Sequence, residues 1–223
     1  MKKILLFSFL FLFPAIYADL KLNLDNELDL LMPKVIEWRH DIHEHPELSN
    51  REFRTAKKIE DHLRSLGIDI ETKIAYTGIV GMIEGGLPGP IMALRADMDA
   101  LPVEEKTGLP FASKVRTTYL GNDVGVMHAC GHDAHVAILM GVAEYLAKNK
   151  SDIKGKVMLI FQPAEEGPPE GEGGGAKMML EEGIFEKYNP EVIFGLQLQT
   201  FQMESYQLNQ DLQWQRHQLT GLK

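Results

Sequence analysis

A continuous apolar segment, Val157 to Phe161, constrains the fold more than any other feature of the sequence. It is bounded by Lys156 and Gln162, and it shows neither the alternation of a half-exposed strand nor the length of a buried helix. Such a segment is typical of a central strand that is covered on both faces by helices. Helical and strand patterns alternate on either side of it, so we predict an α/β domain with a mixed, largely parallel sheet.

The other predicted elements follow from local patterns. Ser49 and Glu52 form an S-x-x-E pattern that predicts a capped helix from Ser49 to Leu66, which Gly67 ends. Further helices are predicted over 135–147 and 174–182, and further strands over 68–75, 79–84, from 91 into Asp97, and over 192–196, the last of them buried. Residues 85–90 are predicted to form a turn, and 106–124 a loop.

The net charge and the N-terminal segment indicate the class of partner and the cellular location of the chain. Asp and Glu number 32 against 23 Lys and Arg, and this net charge of −9 argues against nucleic acid as a partner. Lys2 and Lys3 precede a run of ten mainly apolar residues, and a short segment then ends at Ala18. This pattern predicts a signal peptide over residues 1–18, and a secreted or periplasmic protein with no stable membrane span after cleavage. An uncleaved anchor is the alternative.

The strongest chemical signal is the segment from Met127 to His135. It holds three histidines and Cys130, the only cysteine of the chain. Thiolate and imidazole are preferred ligands of zinc and similar ions. Cys130 and His132 lie near the start of a predicted helix, where backbone N–H groups favour an anionic thiolate. We therefore interpret this segment as part of a metal site, with a buried structural thiol or a reactive thiol as alternatives for the cysteine.

Two pairs of carboxylates follow predicted strands, at the end where α/β folds place ligand sites. Glu165 and Glu166 come shortly after the central strand, and adjacent side chains point in different directions. One of them can hold a metal while the other accepts a proton from water. Asp97 and Asp99 are two residues apart on an extended segment, so both can approach one ion or one histidine. A solvated acidic turn is the alternative for the glutamates.

Two other patterns have less weight. The segment from Gly171 to Met178 is rich in glycine but lacks the G-K-[ST] end of a phosphate-binding loop, and no G-x-S-x-G motif supports a serine hydrolase. His40, His43 and His45 form a second histidine cluster, for which a structural and a functional role remain equally open.

Four segments then occur in a fixed order between residues 33 and 196: His45 to Leu48, Arg95 to Pro102, Met127 to Asp133 and Phe161 to Gly167. Together they resemble the amidohydrolase branch of the aminoacylase/carboxypeptidase metallopeptidase family. That branch includes hippurate hydrolases, N-acyl-amino-acid amidohydrolases and plant auxin-conjugate hydrolases. The resemblance implies a zinc-exopeptidase-like three-layer domain that binds two divalent metals (Zn, Mn or Co) and cleaves the amide bond of a small N-acyl amino acid.

The resemblance also implies a role for individual residues. Cys130, His132 and Glu166 match metal ligands of the family, and Glu165 matches the general base that activates water. Asp99 matches a supporting, catalytically required aspartate beside the metals. Two metals about 3.5–4 Å apart would activate this water and polarise the amide carbonyl.

The sequence departs from the family pattern at residue 197. Gln197 stands where the family has a histidine ligand, and a neutral amide is a poorer ligand for zinc-like ions, so this metal position is predicted to be degenerate. Residues 1–196 contain one glutamine, whereas residues 197–223 contain eight. We therefore expect residues 19–196 to be the N-terminal part of a catalytic domain that is incomplete at its C-terminus, and 197–223 to be a divergent tail.

A shortened chain of this kind is expected to be weakly active or inactive. The lid domain through which family members dimerise is also expected to be missing, so no lid-mediated homodimer is expected. Two alternative functions remain at this point. One is a non-catalytic metal-binding or partner-binding remnant of the fold, and the other is a metallo-exopeptidase that acts on small peptides.

Overall fold

A five-stranded mixed sheet with helices on both faces forms the centre of the computed structural model. The structure describes the backbone of residues 5–198 and the side chains of residues 24–198. The helices are α1 Leu5–Glu44, α2 Phe53–Ser65, α3 His132–Lys148, α4 Gly175–Glu181 and α5 Ile184–Tyr188. The strands are β1 Asp69–Ile74, β2 Gly78–Glu84, β3 Leu87–Asp97, β4 Arg116–Tyr119, β5 Asn122–Gly125, β6 Lys154–Gln162 and β7 Val192–Gly195.

The central strand of the sheet is β6, as its apolar sequence predicts. The strand order is β1-β2-β6-β3-β7. Strand β6 pairs antiparallel with β2 and parallel with β3, while β1 is antiparallel to β2 and β7 is parallel to β3. Strands β4 and β5 form a separate antiparallel hairpin. The predicted α/β class with a mixed sheet is confirmed.

Alternate side chains of β6 enter two different cores. Val157, Leu159 and Phe161 belong to the core that contains residues of α2 and α3, whereas Met158 and Ile160 belong to the core that contains residues of α4 and α5. All five are buried, and full burial of an aliphatic or aromatic side chain stabilises a fold by about 1.5–3 kcal/mol. One strand therefore joins both helical layers, which gives the predicted three-layer arrangement.

The carboxyl ends of β3 and β6 bring the predicted functional segments together. The last residues of these two parallel strands, Asp97 and Gln162, are register partners. Asp99 follows the first strand, and Glu165 and Glu166 follow the second. Helix α3 packs on β3 and begins at His132, so the cysteine–histidine segment lies at the same edge of the sheet.

The predicted capping box is wrong. Helix α2 begins at Phe53 rather than near Ser49, and its N-cap residue, Glu52, makes no side-chain cap bond. The Ser49 hydroxyl instead donates to the Asp99 carboxylate over 2.7 Å, and the Glu52 carboxylate accepts a bond from the backbone of Ala164 over 2.9 Å. Partners that are distant in the sequence therefore outcompete the local cap.

Other boundaries differ for similar reasons. The predicted loop over 106–124 contains β4 and most of β5, and β3 begins at Leu87, inside the predicted turn over 85–90. Strand β7 was predicted to be buried, but it lies at one edge of the described sheet and is only partly buried. Helix α1 has no counterpart among the predicted elements, and its C-terminal part packs on α3.

The predicted leader and tail fall partly outside the described residues. Residues 1–4 and 199–223 are not described, so the signal peptide over 1–18 and the glutamine-rich tail over 197–223 remain predictions. Within the part of the chain that the structure describes, no helix combines the length and hydropathy needed to cross a membrane.

A buried ion pair joins α1 to α3. The Nδ1 of His43 lies 2.9 Å from Asp133 Oδ2, and its Nε2 lies 3.2 Å from Glu105 Oε1. The bond to Asp133 raises the pKa of His43 against the opposing effect of burial. Burial disfavours the charge on Asp133, but its bond to His43 and nearby positive charges lower its pKa. One member of the second histidine cluster is thus structural.

We expect the coupling between His43 and Asp133 to depend on pH. The raised pKa of His43 contributes stability that is complete below about pH 6.5 and is lost as pH rises through the folded-state value. The lowered pKa of Asp133 contributes stability that is lost only as pH falls below about 4. A double-mutant cycle with His43→Ala and Asp133→Ala should therefore give about 1.5–3 kcal/mol near pH 5.5, as expected for a charged hydrogen bond, and clearly less near pH 9. Equal couplings at both pH values would contradict this assignment.

Candidate metal centre

The three predicted metal ligands lie together at the carboxyl edge of the sheet. Ligand atoms of Cys130, His132 and Glu166 are all within 4.8 Å of one another. The Nε2 of His132 is 3.8 Å from Glu166 Oε1. Thiolate sulfur, imidazole nitrogen and carboxylate oxygen are the donor types that zinc and related ions bind, so the donor set fits such an ion.

One nitrogen of His132 is held so that the other faces the carboxylates. Its Nδ1 lies 2.8 Å from the backbone carbonyl of Asp99, which can only accept, so Nδ1 donates. The opposite nitrogen, Nε2, lies 3.5 Å from Asp97 Oδ1 and 3.7 Å from Glu165 Oε2. A hydrogen bond on one ring nitrogen fixes the orientation and tautomer of a ligating histidine. His132 is therefore oriented to bind through Nε2.

Asp99 holds the loop that carries the two glutamates. Its buried carboxylate accepts bonds from the backbone N–H of Glu165 over 3.0 Å, from that of Glu166 over 2.9 Å and from the Ser49 hydroxyl over 2.7 Å. Burial disfavours the charge on Asp99, but a bond from His132, followed by these three donors, lowers its pKa. This geometry fits a supporting aspartate that acts through the loop.

A second group of potential ligands shares His132. Asp97, His132 and His135 are buried, and their ligand atoms lie within 4.8 Å of one another. Asp97 Oδ1 is 2.6 Å from His135 Nδ1, while its other oxygen is 2.7 Å from Arg95 Nη1. The sequence placed Asp97 beside Asp99 but did not connect it to His135. The H-x-x-H spacing puts His132 and His135 on one face of α3, but it carries no signal that links either histidine to Asp97.

The charges around this group favour a cation. The hydrogen bond to Glu166, together with burial, raises the pKa of Cys130 to about 12. Burial disfavours charge on His132, but the bond to Asp99 and the charge of Asp97 outweigh it and raise its pKa to about 9. Burial and the charge of Asp97 raise the pKa of Glu165. A divalent cation would reverse these trends, because it stabilises the thiolate and the carboxylates together.

Comparison with known proteins identifies the family. A family model described as peptidase family M20/M25/M40 matches residues 93–208, which is more than half of the chain. The chain belongs to this family. Within these residues lie Asp97 and Asp99, the cysteine–histidine segment and the two glutamates, so the family match covers all the groups that converge at the sheet edge.

Relatives of this M20 chain are longer than the chain itself. It is 48% identical over 181 residues to thermostable carboxypeptidase 1 of Saccharolobus solfataricus, covering 81% of this chain and 43% of that protein. It is 42% identical over 174 residues to hippurate hydrolase of Campylobacter jejuni, covering 78% of this chain and 42% of that protein. The chain thus spans less than half the length of these relatives.

A solved structure supports the fold at similar identity. A Bacillus subtilis protein, described as a dinuclear metal binding peptidase from the M20 family, superimposes with a TM-score of 0.66 at 42% identity. The match covers 77% of this M20 chain and 44% of that protein. The three-layer architecture is therefore the architecture of M20 peptidases.

Residue 197 of the M20 chain lies beyond the end of β7, close to the predicted ligands. Gly195 is the register partner of Arg95, so the segment after it runs alongside the Asp97 end of β3. Gly131 has a φ of +84°, and a Cβ there would lie 2.6 Å from Leu198 Cδ1. Leu198 thus contacts the residue between Cys130 and His132. The chain position next to it is Gln197, where the family pattern has a histidine.

A cavity of about 590 Å³ opens beside Glu166. Its lining mixes apolar residues, among them Leu48, Leu101 and Val126, with the carboxyl groups of Glu47 and Glu170. Two arginines also line it, but Arg116 is paired with Glu104 and Asp123, and Arg51 with Glu172. Both arginines are thus already ion-paired, and the apolar part of the lining suits an uncharged group of substrate size.

Proposed function

We propose that this M20 chain carries the metal-binding and proton-transfer groups of a metal-dependent amidohydrolase that cleaves N-acyl amino acids. The observation that supports the proposal best is the convergence of Glu165 and Glu166 on His132, with Cys130 completing the set. Carboxylate oxygens of the two glutamates lie 3.7 and 3.8 Å from the same imidazole Nε2. One carboxylate can therefore bind a cation while its neighbour remains beside it to transfer a proton.

Cys130, His132 and Glu166 would hold the metal, which we propose to be one or two ions of Zn, Mn or Co. When bound, such ions supply Lewis-acid polarisation of the amide carbonyl and activation of water. Gln197 is the proposed weak point of this set, because its amide replaces an imidazole.

Glu165 is the proposed general base. It takes a proton from water as the water oxygen attacks the amide carbon, and it returns the proton to the nitrogen when the C–N bond breaks. The products are the free acyl acid and the amino acid. Its position suits this role, because its carboxylate lies 3.7 Å from the His132 nitrogen that the proposed metal ligands share.

The substrate assignment rests on the cavity and on the relatives. The apolar part of the lining beside Glu166 suits the uncharged acyl group of an N-acyl amino acid, and one relative is named a hippurate hydrolase. Cleavage of small peptides is the second candidate, because another relative is named a carboxypeptidase. A metal-binding protein without hydrolytic activity is the third, and Gln197 is the observation that favours it.

Hydrolysis assays separate these three functions. The purified chain, loaded with zinc, manganese or cobalt, would be incubated with N-acetyl and N-benzoyl amino acids and with dipeptides. Amino acid release from the N-acyl compounds alone would support the proposal, and release from dipeptides alone would support the exopeptidase. Stoichiometric metal binding with no hydrolysis of either class would support the binding protein and contradict an amidohydrolase.

Restoring an imidazole at residue 197 should strengthen metal binding. Loss of a group that merely supports a ligand costs roughly 10- to 100-fold in metal affinity, so Gln197→His, which adds a ligand, should gain at least about tenfold. Isothermal titration with zinc would measure the gain, and Gln162→His, which alters a buried residue at the end of β6, is the control for histidine addition. If both variants bind zinc as the unmodified chain does, residue 197 is not a metal position.

We also propose that the chain is exported. The support is the basic and apolar N-terminal pattern that ends at Ala18. N-terminal sequencing of the protein from cells would test this directly, since a mature chain that begins at Asp19 is expected.

A further inference from the structure

The loop that carries the two glutamates contains a strained residue. Ala164 has a φ of +48°, in the left-handed region that a residue with a Cβ rarely adopts. Ala164 directly precedes Glu165 and is itself buried. Such a backbone conformation persists only where the surroundings hold it in place.

Two buried carboxylates hold this loop by its backbone. Glu52 Oε1 accepts the N–H of Ala164 over 2.9 Å, and Asp99 accepts the next two N–H groups, those of Glu165 and Glu166. Three consecutive backbone donors are thereby satisfied by side chains from other elements. The N–H of Gly167 also bonds to the Ala164 carbonyl over 3.4 Å, but this bond lies within the loop, so the two carboxylates are what tie these donors to the rest of the fold.

Glu52 is unusual among buried carboxylates of the described residues. It is 0% exposed, it faces no cation within ion-pair distance, and it does not cap its own helix. Its second oxygen, Oε2, accepts the Thr77 hydroxyl over 2.6 Å, which links the turn between β1 and β2 to the same carboxylate. Burial of such a carboxyl group is costly, and the cost is compensated only by the bonds it makes.

We propose that Glu52 is a positioning residue that fixes the Ala164 turn and thereby sets where Glu166 stands relative to Cys130 and His132. This inference rests on the proposed metal site. Glu52 does not line the cavity, and its side chain bonds to the loop backbone and to Thr77 rather than to a predicted ligand side chain.

Three variants of the full chain test the proposal by cobalt affinity. Glu52→Ala removes the acceptor of the Ala164 N–H and should weaken cobalt binding roughly 10- to 100-fold, as loss of a supporting group does. Glu52→Gln keeps an acceptor oxygen and can still bond to Thr77, so it should bind within about threefold of the unmodified chain. Leu63→Ala, in the buried face of the same helix, destabilises the core without touching the loop and should leave affinity within about twofold.

Amide hydrogen exchange gives a readout that needs no metal. At matched global stability, the amides of residues 164–166 should exchange at least about tenfold faster in Glu52→Ala than in Leu63→Ala. If the unmodified chain binds no cobalt, the metal site is wrong, and exchange alone decides whether Glu52 holds the loop. Should Glu52→Ala fail to fold, Thr77→Val, which removes one partner of Glu52, takes its place with a smaller expected effect. The proposal would be overturned if the amides of residues 164–166 exchanged at equal rates in Leu63→Ala and in the variant that disturbs Glu52, and if both variants bound cobalt with equal affinity.

Discussion

Glu165→Gln is expected to lower the turnover of N-acyl amino acids by about 10²- to 10⁴-fold, the range that one general base contributes. Glutamine has nearly the same size as glutamate, but its amide cannot accept a proton from water. The backbone N–H of residue 165 still bonds to Asp99 in the variant, so the loop keeps its shape. The loss should therefore appear in kcat, while KM and metal content stay close to those of the unmodified chain.

The control for this variant is Glu181→Gln, an exposed carboxyl in α4 whose ion-pair partner is Lys177. It should retain full turnover. Both substitutions are best measured in the unmodified chain and in the Gln197→His background, where metal occupancy is expected to be higher. Turnover by Glu165→Gln at the unmodified rate in both backgrounds would show that another group accepts the proton.

His132→Ala is expected to have the largest effect on metal binding. It removes the nitrogen on which Glu165, Glu166 and Asp97 converge. Since even supporting groups contribute 10- to 100-fold, loss of this ligand should weaken zinc binding by more than about 100-fold. Titration calorimetry with zinc would measure the loss.

Cobalt absorption spectra would show whether Cys130 still binds the metal in this variant. The unmodified chain should give a thiolate-to-cobalt absorption band from Cys130, and His132→Ala should lose this band at the same cobalt concentration. His45→Ala serves as the control, because His45 is exposed and bonds to the backbone of Asp41. An unchanged band and unchanged affinity in His132→Ala would exclude His132 as a ligand.

The parts of the fold that sequence reasoning predicted are those determined by local pattern. The run from Val157 to Phe161 specifies a strand that is buried on both faces, and such a strand can lie only inside a covered sheet. Cys130, His132 and His135 are close in sequence, so their proximity in space needed no knowledge of the fold. Glu165 and Asp99 were found because both follow strands.

The parts that were missed depend on partners far away in the sequence. Ser49 and Glu52 have the spacing of a capping box, but their partners Asp99 and Ala164 lie 50 and 112 residues away. Asp97 and His135 are 38 residues apart, and nothing in either local segment connects them. Strand β7 is as apolar as a buried strand, although in the described residues only one neighbour pairs with it. A local sequence pattern cannot predict such contacts, because the two partners come together only when the chain folds.

The hydrogen bonds to the loop after β6 fix its backbone path independently of the side chains that the loop carries. Side chains from elsewhere grip the N–H groups of residues 164–166, and every amino acid except proline offers the same N–H group at these positions. The side chains of residues 165 and 166 therefore project from a backbone whose path does not depend on their identity. The side chains of residues 165 and 166 can therefore be substituted, by evolution or by experiment, without a change in the path of the loop backbone.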